Sequence, residues 1–578
     1  MPLVMVGDEG KELLSAVEGL RSQVHDATFP LDIPGVDKAQ MSRSALLKQL
    51  DDYVIPRLNA LDAPLLTVVG GSTGAGKSTL VNSLVGSVVS QGGVLRPTTR
   101  VPVLVHHPHD QNWFDGSRVL PNLARITGAD ETEHAAGETG VGQGALRLIA
   151  SRALPAGLAL LDAPDIDSVV HANRDLAGQL FLAADLWLFV TTAARYADAV
   201  PWDFLRRASE HGTSVAIVLD RVPPESMDEI RTHLVSMLRD QGLASAPIFT
   251  VAETTVTADG LLSEREIARL RSWLSALARD AKARSIVVRR TLDGALRSIP
   301  DSALVLSAAS DEQEAATAAL HREVETAYVD AMQSVQHAMT DGTLLRGEVL
   351  ARWQEFVGTG QFLRQVEAGI SRLRDRLAAA IRGNSRPTAE LGEALQSGVA
   401  ELLTAQSRAA SATVLRRWRQ MPGGPALVAA HPELADPAPG STGRVERLVR
   451  DWQGEVLDLV RAEAGDRRTT ARVFSFGVNG AGVILMLLVF SQTGGITGGE
   501  VGIAGGSAVL AQRILEAIFG DQAVRTLAAR SRHRLMERAQ QMYAVEQARL
   551  TAVVSAVQAV PGQAERIKAA AACVQGTR

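Results

Sequence analysis

Gly71-Ser-Thr-Gly-Ala-Gly-Lys77-Ser78 has the residue types and spacing of a loop that cradles phosphate. Glycines at Gly71, Gly74 and Gly76 let the chain curl until successive backbone N–H groups converge on one anion. A helix starting at Lys77 would add its positive dipole end, and the lysine ammonium would reach the terminal phosphates of a nucleotide. Ser78 offers a hydroxyl to Mg²⁺. The expected nucleotide contacts are therefore Gly71, Ser72, Thr73, Gly74, Ala75, Gly76, Lys77, Ser78 and Thr79.

A phosphate loop does not choose among nucleotides or reactions, so its partners must come from downstream. Pro97-Thr98-Thr99 precedes an apolar run and fits a segment whose threonine hydroxyl completes Mg²⁺ coordination and senses the terminal phosphate. The sequence leaves open which threonine serves, and both Thr98 and Thr99 join Lys77 as candidate catalytic groups. Leu158-Ala-Leu-Leu-Asp162 ends an apolar run in a carboxylate, the place from which an aspartate holds the metal through water. Ser78, Thr98, Thr99 and Asp162 form the expected metal set. His106-His-Pro-His109-Asp110 has metal-binding residue types, but its internal proline after an apolar run reads as a strand-end loop. Trp187 and Trp202 read as packing anchors.

These groups need a scaffold, and the hydropathy pattern supplies one. Leu65–Val69 is a short β-branched run before the glycine loop, and Thr79–Val85 after it has helical patterning. Further short apolar runs at Val101–Val105, Leu158–Leu161, Asp185–Val190, Val215–Leu219 and Pro247–Val251 alternate with helical stretches. That alternation predicts an α/β fold with a doubly wound, mostly parallel sheet over residues 63–285. Ser42–Leu61 carries an amphipathic helical pattern, so residues 1–62 are expected to be helical.

Beyond residue 285 helical patterning takes over, predicting a long helical region over 286–472 and a last helix over 520–578. Leu320, Val324, Ala327, Ala331, Val335 and Ala338 form a near-heptad stripe, read as a helix buried in its own bundle, with an intermolecular coiled coil as the alternative. From Val473 through Gly499 no charged residue occurs. With the break at Gly494-Gly-Ile-Thr-Gly-Gly499, residues 473–519 read as two apolar helices, about 474–493 and 501–519, forming a membrane-inserting hairpin. Arg467, Arg468 and Arg472 before it, and Arg525, Arg530, Arg532, Arg534 and Arg538 after it, suit anionic headgroups and two cytosolic ends. The alternative is a buried helix pair, since Arg513 and Glu516 interrupt the second half.

Composition narrows the class. At 578 residues the chain has room for about three or four domains. Its 46% apolar and 21% charged content excludes wholesale disorder. A net charge of −5 argues against nucleic acid as a partner. A single cysteine, Cys573, excludes disulfide scaffolds and Cys-rich metal modules. The N-terminal residues lack a basic start and an apolar core, so no secretory signal is read there.

The strand–loop–helix, Thr98/Thr99, Asp162-Ala-Pro and the strand Ala183–Val190 resemble the translation-factor class of GTPases, especially bacterial dynamin-like proteins and their Era-like relatives; the whole chain looks like an actinobacterial form of this group. The resemblance implies a GTPase head, a helical stalk built from chain on both sides of it (residues 1–62, 286–472 and 520–578), and a lipid-binding tip. It implies Mg²⁺ as cofactor and GTP as substrate. It also implies a lipid membrane, self-association through heads and stalk, and a paralogous partner or division proteins. The protein would act at the cytoplasmic face of the cell membrane, anchored by the 473–519 hairpin, tethering or remodelling membrane, some relatives doing so at the division septum.

The chain departs from the family pattern in four places. Asp165 stands where the second motif normally ends in glycine, and Thr73-Gly74 replaces a Gln-Ser pair that arranges water and a cation. After Val215–Leu219 the guanine-reading Asn/Thr-Lys-x-Asp is replaced by Asp220-Arg-Val-Pro, so the usual carboxylate is missing. Asp220 at a ring edge and Arg221 over a base face are the candidate contacts, and a turn with no base contact is the alternative. Phe249–Glu253 holds the position of the last base-contacting loop in degenerate form. Hydrolysis is accordingly expected to be slow or assembly-dependent. Two other functions stay in play: a nucleotide-binding membrane scaffold with little or no hydrolysis, and an ABC-like transport ATPase. The latter lacks a Leu-Ser-Gly-Gly-Gln run and a glutamate after Asp162, and a soluble GTPase acting on ribosomes is disfavoured by the apolar segment.

Overall fold

A computed structural model describes residues 8–90, 101–116, 118–120, 123–126, 145–166, 171–210, 212–341, 344, 348–357, 386–464, 478–490, 511–516 and 518–578. The chain divides into two compact units. The first takes residues up to Phe29, Gly35–Asp311 and Ala559–Arg578, and the second takes Pro30–Pro34 and Glu312–Gln558.

In the first unit, eight strands form one sheet: β1 (Leu65–Gly71), β2 (Val103–His106), β3 (Ala124–Ile126), β4 (Ala145–Ala150), β5 (Leu158–Asp162), β6 (Leu186–Thr192), β7 (Ser214–Val222) and β8 (Ile248–Ala252). Their order is β3-β4-β2-β5-β1-β6-β7-β8. All pairings are parallel except β2 with β5. Every residue of β1 is buried, which is why it reads as one apolar run. Its side chains nonetheless alternate between faces: Leu66 and Val68 enter one core, while Leu65 and Val69 enter the other. The first core packs the sheet against helices His171–Leu182, Ala199–Glu210 and Met227–Asp240 through Leu180, Leu205 and Leu234. The second uses Lys77–Val85 and Glu264–Arg279 through Leu80, Leu270 and Leu274. Helices on both faces make the sheet doubly wound, as expected.

Strands β3 and β4 were not legible in the sequence. Three residues are too few for a periodic signal, and Arg147 interrupts the apolar content of β4; register with β2, Val103 opposite Arg147, creates that strand. Trp187 and Trp202 pack as expected: Trp187 lies against Phe181, ring centroids 4.2 Å apart, and Trp202 Nε1 donates to the Tyr196 carbonyl at 2.8 Å. His106 stacks on Phe114, and Asp110 Oδ2 accepts from the Gly157 N–H at 2.7 Å, so this loop closes on its own neighbours.

The same unit carries a helical module. Helices Asp8–Asp26, Val36–Gln49, the start of Ala281–Ala338 and Gln563–Thr577 enclose Leu13, Leu20, Leu46, Leu50, Leu292, Leu296 and Ile567. The single amphipathic helix expected over Ser42–Leu61 is broken by a π turn at Leu50–Val54 before Ile55–Asn59. Pro56 has no N–H for the carbonyl four residues back, so regular spacing cannot run through it. Arg57 then pairs with Asp185 at the start of β6; the two are 7% and 1% exposed. Asp185 Oδ2 also accepts from the Leu66 N–H at 2.8 Å, stitching the helix end to β1.

The second unit is helical. It contains the rest of Ala281–Ala338, then Glu348–Val357, Arg386–Trp418, Ser441–Ala464, Val478–Val489 and Asp521–Ala556. The Leu320–Ala338 stripe is buried inside this unit, with Trp418 Nε1 donating to the Leu320 carbonyl at 3.2 Å.

The apolar segment corrects the expected membrane hairpin. Among the described residues no helix is long and apolar enough to cross a membrane. The described part of its first half is the helix Val478–Val489. Ile484 through Phe490 are at most 2% exposed. Phe490 lies 5.7 Å from the Trp452 ring, and Arg532 donates to the Val489 carbonyl at 3.0 Å. The described apolar residues Ile484–Phe490, read as lipid-facing, are thus core of a helical unit. Of the flanking arginines, Arg525 pairs with Asp521, and Arg534 and Arg538 pair with Glu455, while Arg467, Arg468 and Arg472 lie outside the described residues. The remaining parts of 473–519, residues 473–477, 491–510 and 517, lie outside the described residues.

Candidate functional site

The glycine loop leaves the buried end of β1 and feeds directly into the helix Lys77–Val85. Gly71 is required where it stands: a Cβ there would lie 2.0 Å from the Val190 carbonyl oxygen of β6. Gly76, at φ +90°, is required for two reasons, since a Cβ would also meet Asp220 Oδ2 at 2.4 Å. Asp220 near the end of β7 therefore lies close against Gly76 of the loop.

Within the curl, the Lys77 ammonium is buried, 5% exposed. It donates to the carbonyls of Gly71 and Ser72, each at 3.0 Å, and pairs with Asp165. Ser78 Oγ donates to Asp162 Oδ2 at 2.7 Å. Ser90 Oγ donates to the same oxygen at 2.6 Å. Asp162 Oδ1 is buried and meets no hydrogen-bond donor among the described residues, and the same is true of Ser72 Oγ. Burial pushes the Asp162 carboxyl above the usual carboxylate range, opposed by the two serine hydroxyls and the Lys77 charge. An orphaned carboxylate oxygen beside a hydroxyl is what a hydrated divalent cation would satisfy, so Ser78 and Asp162 fit the residues that would hold Mg²⁺. Bound there, the cation would neutralise charge on the phosphates.

The fold thus brings Gly71–Thr79, Asp162, Asp165 and Asp220 to the same edge of the sheet. Thr98 and Thr99 lie outside the described residues. Asp220 faces Gly76 of the loop, and burial raises its carboxyl against the opposing Arg221 N–H and guanidinium. Arg221 is half exposed and 3.8 Å from Asp220. Two groups at the site had no readable signal. Ser90 sits in a Ser-Val-Val-Ser run without motif spacing, and Arg195 donates to the Thr73 carbonyl at 2.8 Å from the turn after β6.

A glycine loop opening a helix at a central parallel strand, with an aspartate ending the neighbouring strand beneath the loop serine, defines a P-loop nucleotide-binding domain. Residues 67–222, which include most of this sheet, match the model of the Dynamin family. No curated protein matches the sequence. Among solved structures the chain is similar to a member of an oligomerised bacterial dynamin pair, described as a mechanism for long-range sensing and tethering of membranes. The identity there is 10%, over 99% of this chain and 96% of that one, with a TM-score of 0.44. A second chain described in the same terms aligns at 10% identity over 95% of this chain and 96% of that one, with a TM-score of 0.43. LeoA, a bacterial dynamin GTPase from ETEC, aligns at 11% identity over 97% and 98%, with a TM-score of 0.25.

Proposed function

We propose that this protein is a dynamin-like GTPase that binds Mg²⁺ and GTP at Gly71–Thr79 and couples nucleotide turnover to membrane tethering or remodelling. The observation that carries the nucleotide half is the Ser78–Asp162 pair with its unsatisfied buried Oδ1, set beside a Lys77 ammonium inside the glycine curl. The membrane half is supported by the family of residues 67–222 and by the tethering described for similar bacterial dynamins. In this reading residues 63–285 are the head and the helices form the self-associating stalk. Membrane contact is made without a spanning helix from Val478–Val489.

Asp165 supports slow or assembly-dependent hydrolysis, because a carboxylate on Lys77 competes with a phosphate for the same ammonium. That contact also favours a second reading, a nucleotide-binding scaffold with little turnover. Phosphate release from GTP and ATP, measured with and without anionic vesicles and alongside vesicle flotation, separates these. Turnover that rises on vesicles supports the GTPase, and binding without turnover supports the scaffold. Wild type and Lys77→Ala that bind nucleotide equally would remove the site.

A further inference from the structure

The nucleotide-binding reading leaves unexplained which group reads the base, because the carboxylate expected after β7 is missing and Asp220 is turned to Gly76 of the loop. The space for a nucleoside is visible. An open cavity of about 700 Å³ adjoins the loop and is lined by Thr73, Gly74, Thr192, Arg221, Pro223 and Glu253. It lies outside the carboxyl ends of β6, β7 and β8, where ligands of parallel sheets bind.

Two features aim charged groups at this cavity. The β7–β8 register shifts between Leu219 and Val222, and Arg221 within the shift has φ +51°, a left-handed conformation for a residue with a side chain. Asp220 and Val222 stay buried on either side while Arg221 turns outward, so the bulge re-aims this one side chain. Glu253 follows the last residue of β8, and its N–H donates to the Val222 carbonyl at 3.0 Å, which pins its backbone to the far side of the bulge. A guanidinium and a carboxylate therefore stand on adjoining strand ends, next to the loop that would hold the phosphates.

We infer that Glu253 selects guanine, accepting hydrogen bonds from guanine N1–H and N2–H₂ in place of the carboxylate missing after β7, while Arg221 supplies a guanidinium plane for the base to lie on. A carboxylate accepts two parallel donors and has none to give. Guanine presents that donor pair, whereas adenine presents an acceptor at N1 that would face negative charge, which gives the preference its sign. Arg221 stacks without distinguishing purines, so it contributes affinity and Glu253 contributes choice.

The test is calorimetric titration of the full-length protein with GDP, ADP and xanthosine diphosphate in Mg²⁺. Wild type is expected to prefer GDP. Glu253→Gln should weaken GDP by roughly 10–100-fold, as loss of a charged double hydrogen bond implies, and leave ADP unchanged. The same variant should gain affinity for xanthosine diphosphate, whose 2-oxo group accepts from the new amide while N1–H donates to its oxygen. That gain cannot come from a misfolded protein. Arg221→Ala should weaken GDP and ADP together. Wild type that binds GDP and ADP equally, or Glu253→Gln with an unchanged GDP/ADP ratio, overturns the assignment and leaves the phosphate site standing. Binding of none of the three by wild type overturns the nucleotide reading and this inference with it.

Discussion

Asp165 occupies the Lys77 ammonium: the carboxylate at the position following Asp162-Ala-Pro joins the carbonyls of Gly71 and Ser72 in closing around a lysine that is only 5% exposed. A buried cation needs compensation, and Asp165 supplies part of it. Nucleotide must then displace one anion to bind another. Asp165→Asn removes the competing charge and should tighten nucleotide binding by about tenfold, about 1.4 kcal/mol. Fluorescent-nucleotide titration checks this, and weaker binding would mean that Asp165 helps to hold the ligand.

Lys77→Ala is expected to lose nucleotide affinity by at least about 100-fold while the protein stays folded, since the lysine serves phosphate and contributes little apolar packing. Circular dichroism and calorimetry on the same sample separate loss of site from loss of fold.

Ser78 and Ser90 donate to the same oxygen of Asp162, yet only Ser78 lies on the phosphate loop. Ser78→Ala should abolish the increase in nucleotide affinity on adding Mg²⁺. Ser90→Ala should keep that increase and cost about 1 kcal/mol of stability from the lost buried hydrogen bond. Titrating nucleotide with Mg²⁺ and with EDTA reads both, and equal effects from the two variants would place Ser90 among the metal-site residues.

Arg57→Met leaves Asp185 buried without its partner and should destabilise the first unit by about 3–5 kcal/mol, whereas adding Asp185→Asn, which removes the charge and keeps an acceptor for the Leu66 N–H, should restore part of that loss. Denaturant melts of the two variants and the double change provide the cycle. A single variant as stable as wild type would mean the pair is not closed in solution.

Leu485, 1% exposed, belongs to the core of the second unit, so Leu485→Ala should cost about 2–5 kcal/mol there and leave GTP affinity unchanged. A lipid-facing leucine would instead lose membrane attachment with little effect on a thermal melt in detergent. Melting and flotation on one preparation decide between these outcomes.

Much of the candidate site's geometry was legible because its chemistry is local. Glycines, a lysine and a serine within one loop, placed between a β-branched run and a helical pattern, carry their geometry in their spacing, and Asp162 is marked by ending an apolar run. Groups that meet only through strand order left no such trace. Ser90 reaches Asp162 from 72 residues away, Arg57 reaches Asp185 from 128, and Glu253 adjoins Arg221 because β8 pairs with β7 across a bulge.

The apolar segment shows the limit most plainly. Residues 473–499 carry hydrophobicity but not its destination, because a lipid tail and the side of a neighbouring helix are alike in excluding water. Sequence determined that Val478–Val489 must be hidden. Only tertiary structure decided that Trp452, Arg532 and the helices around them hide it, since that depends on which surfaces the chain brings within van der Waals contact and not on the order of residues along it.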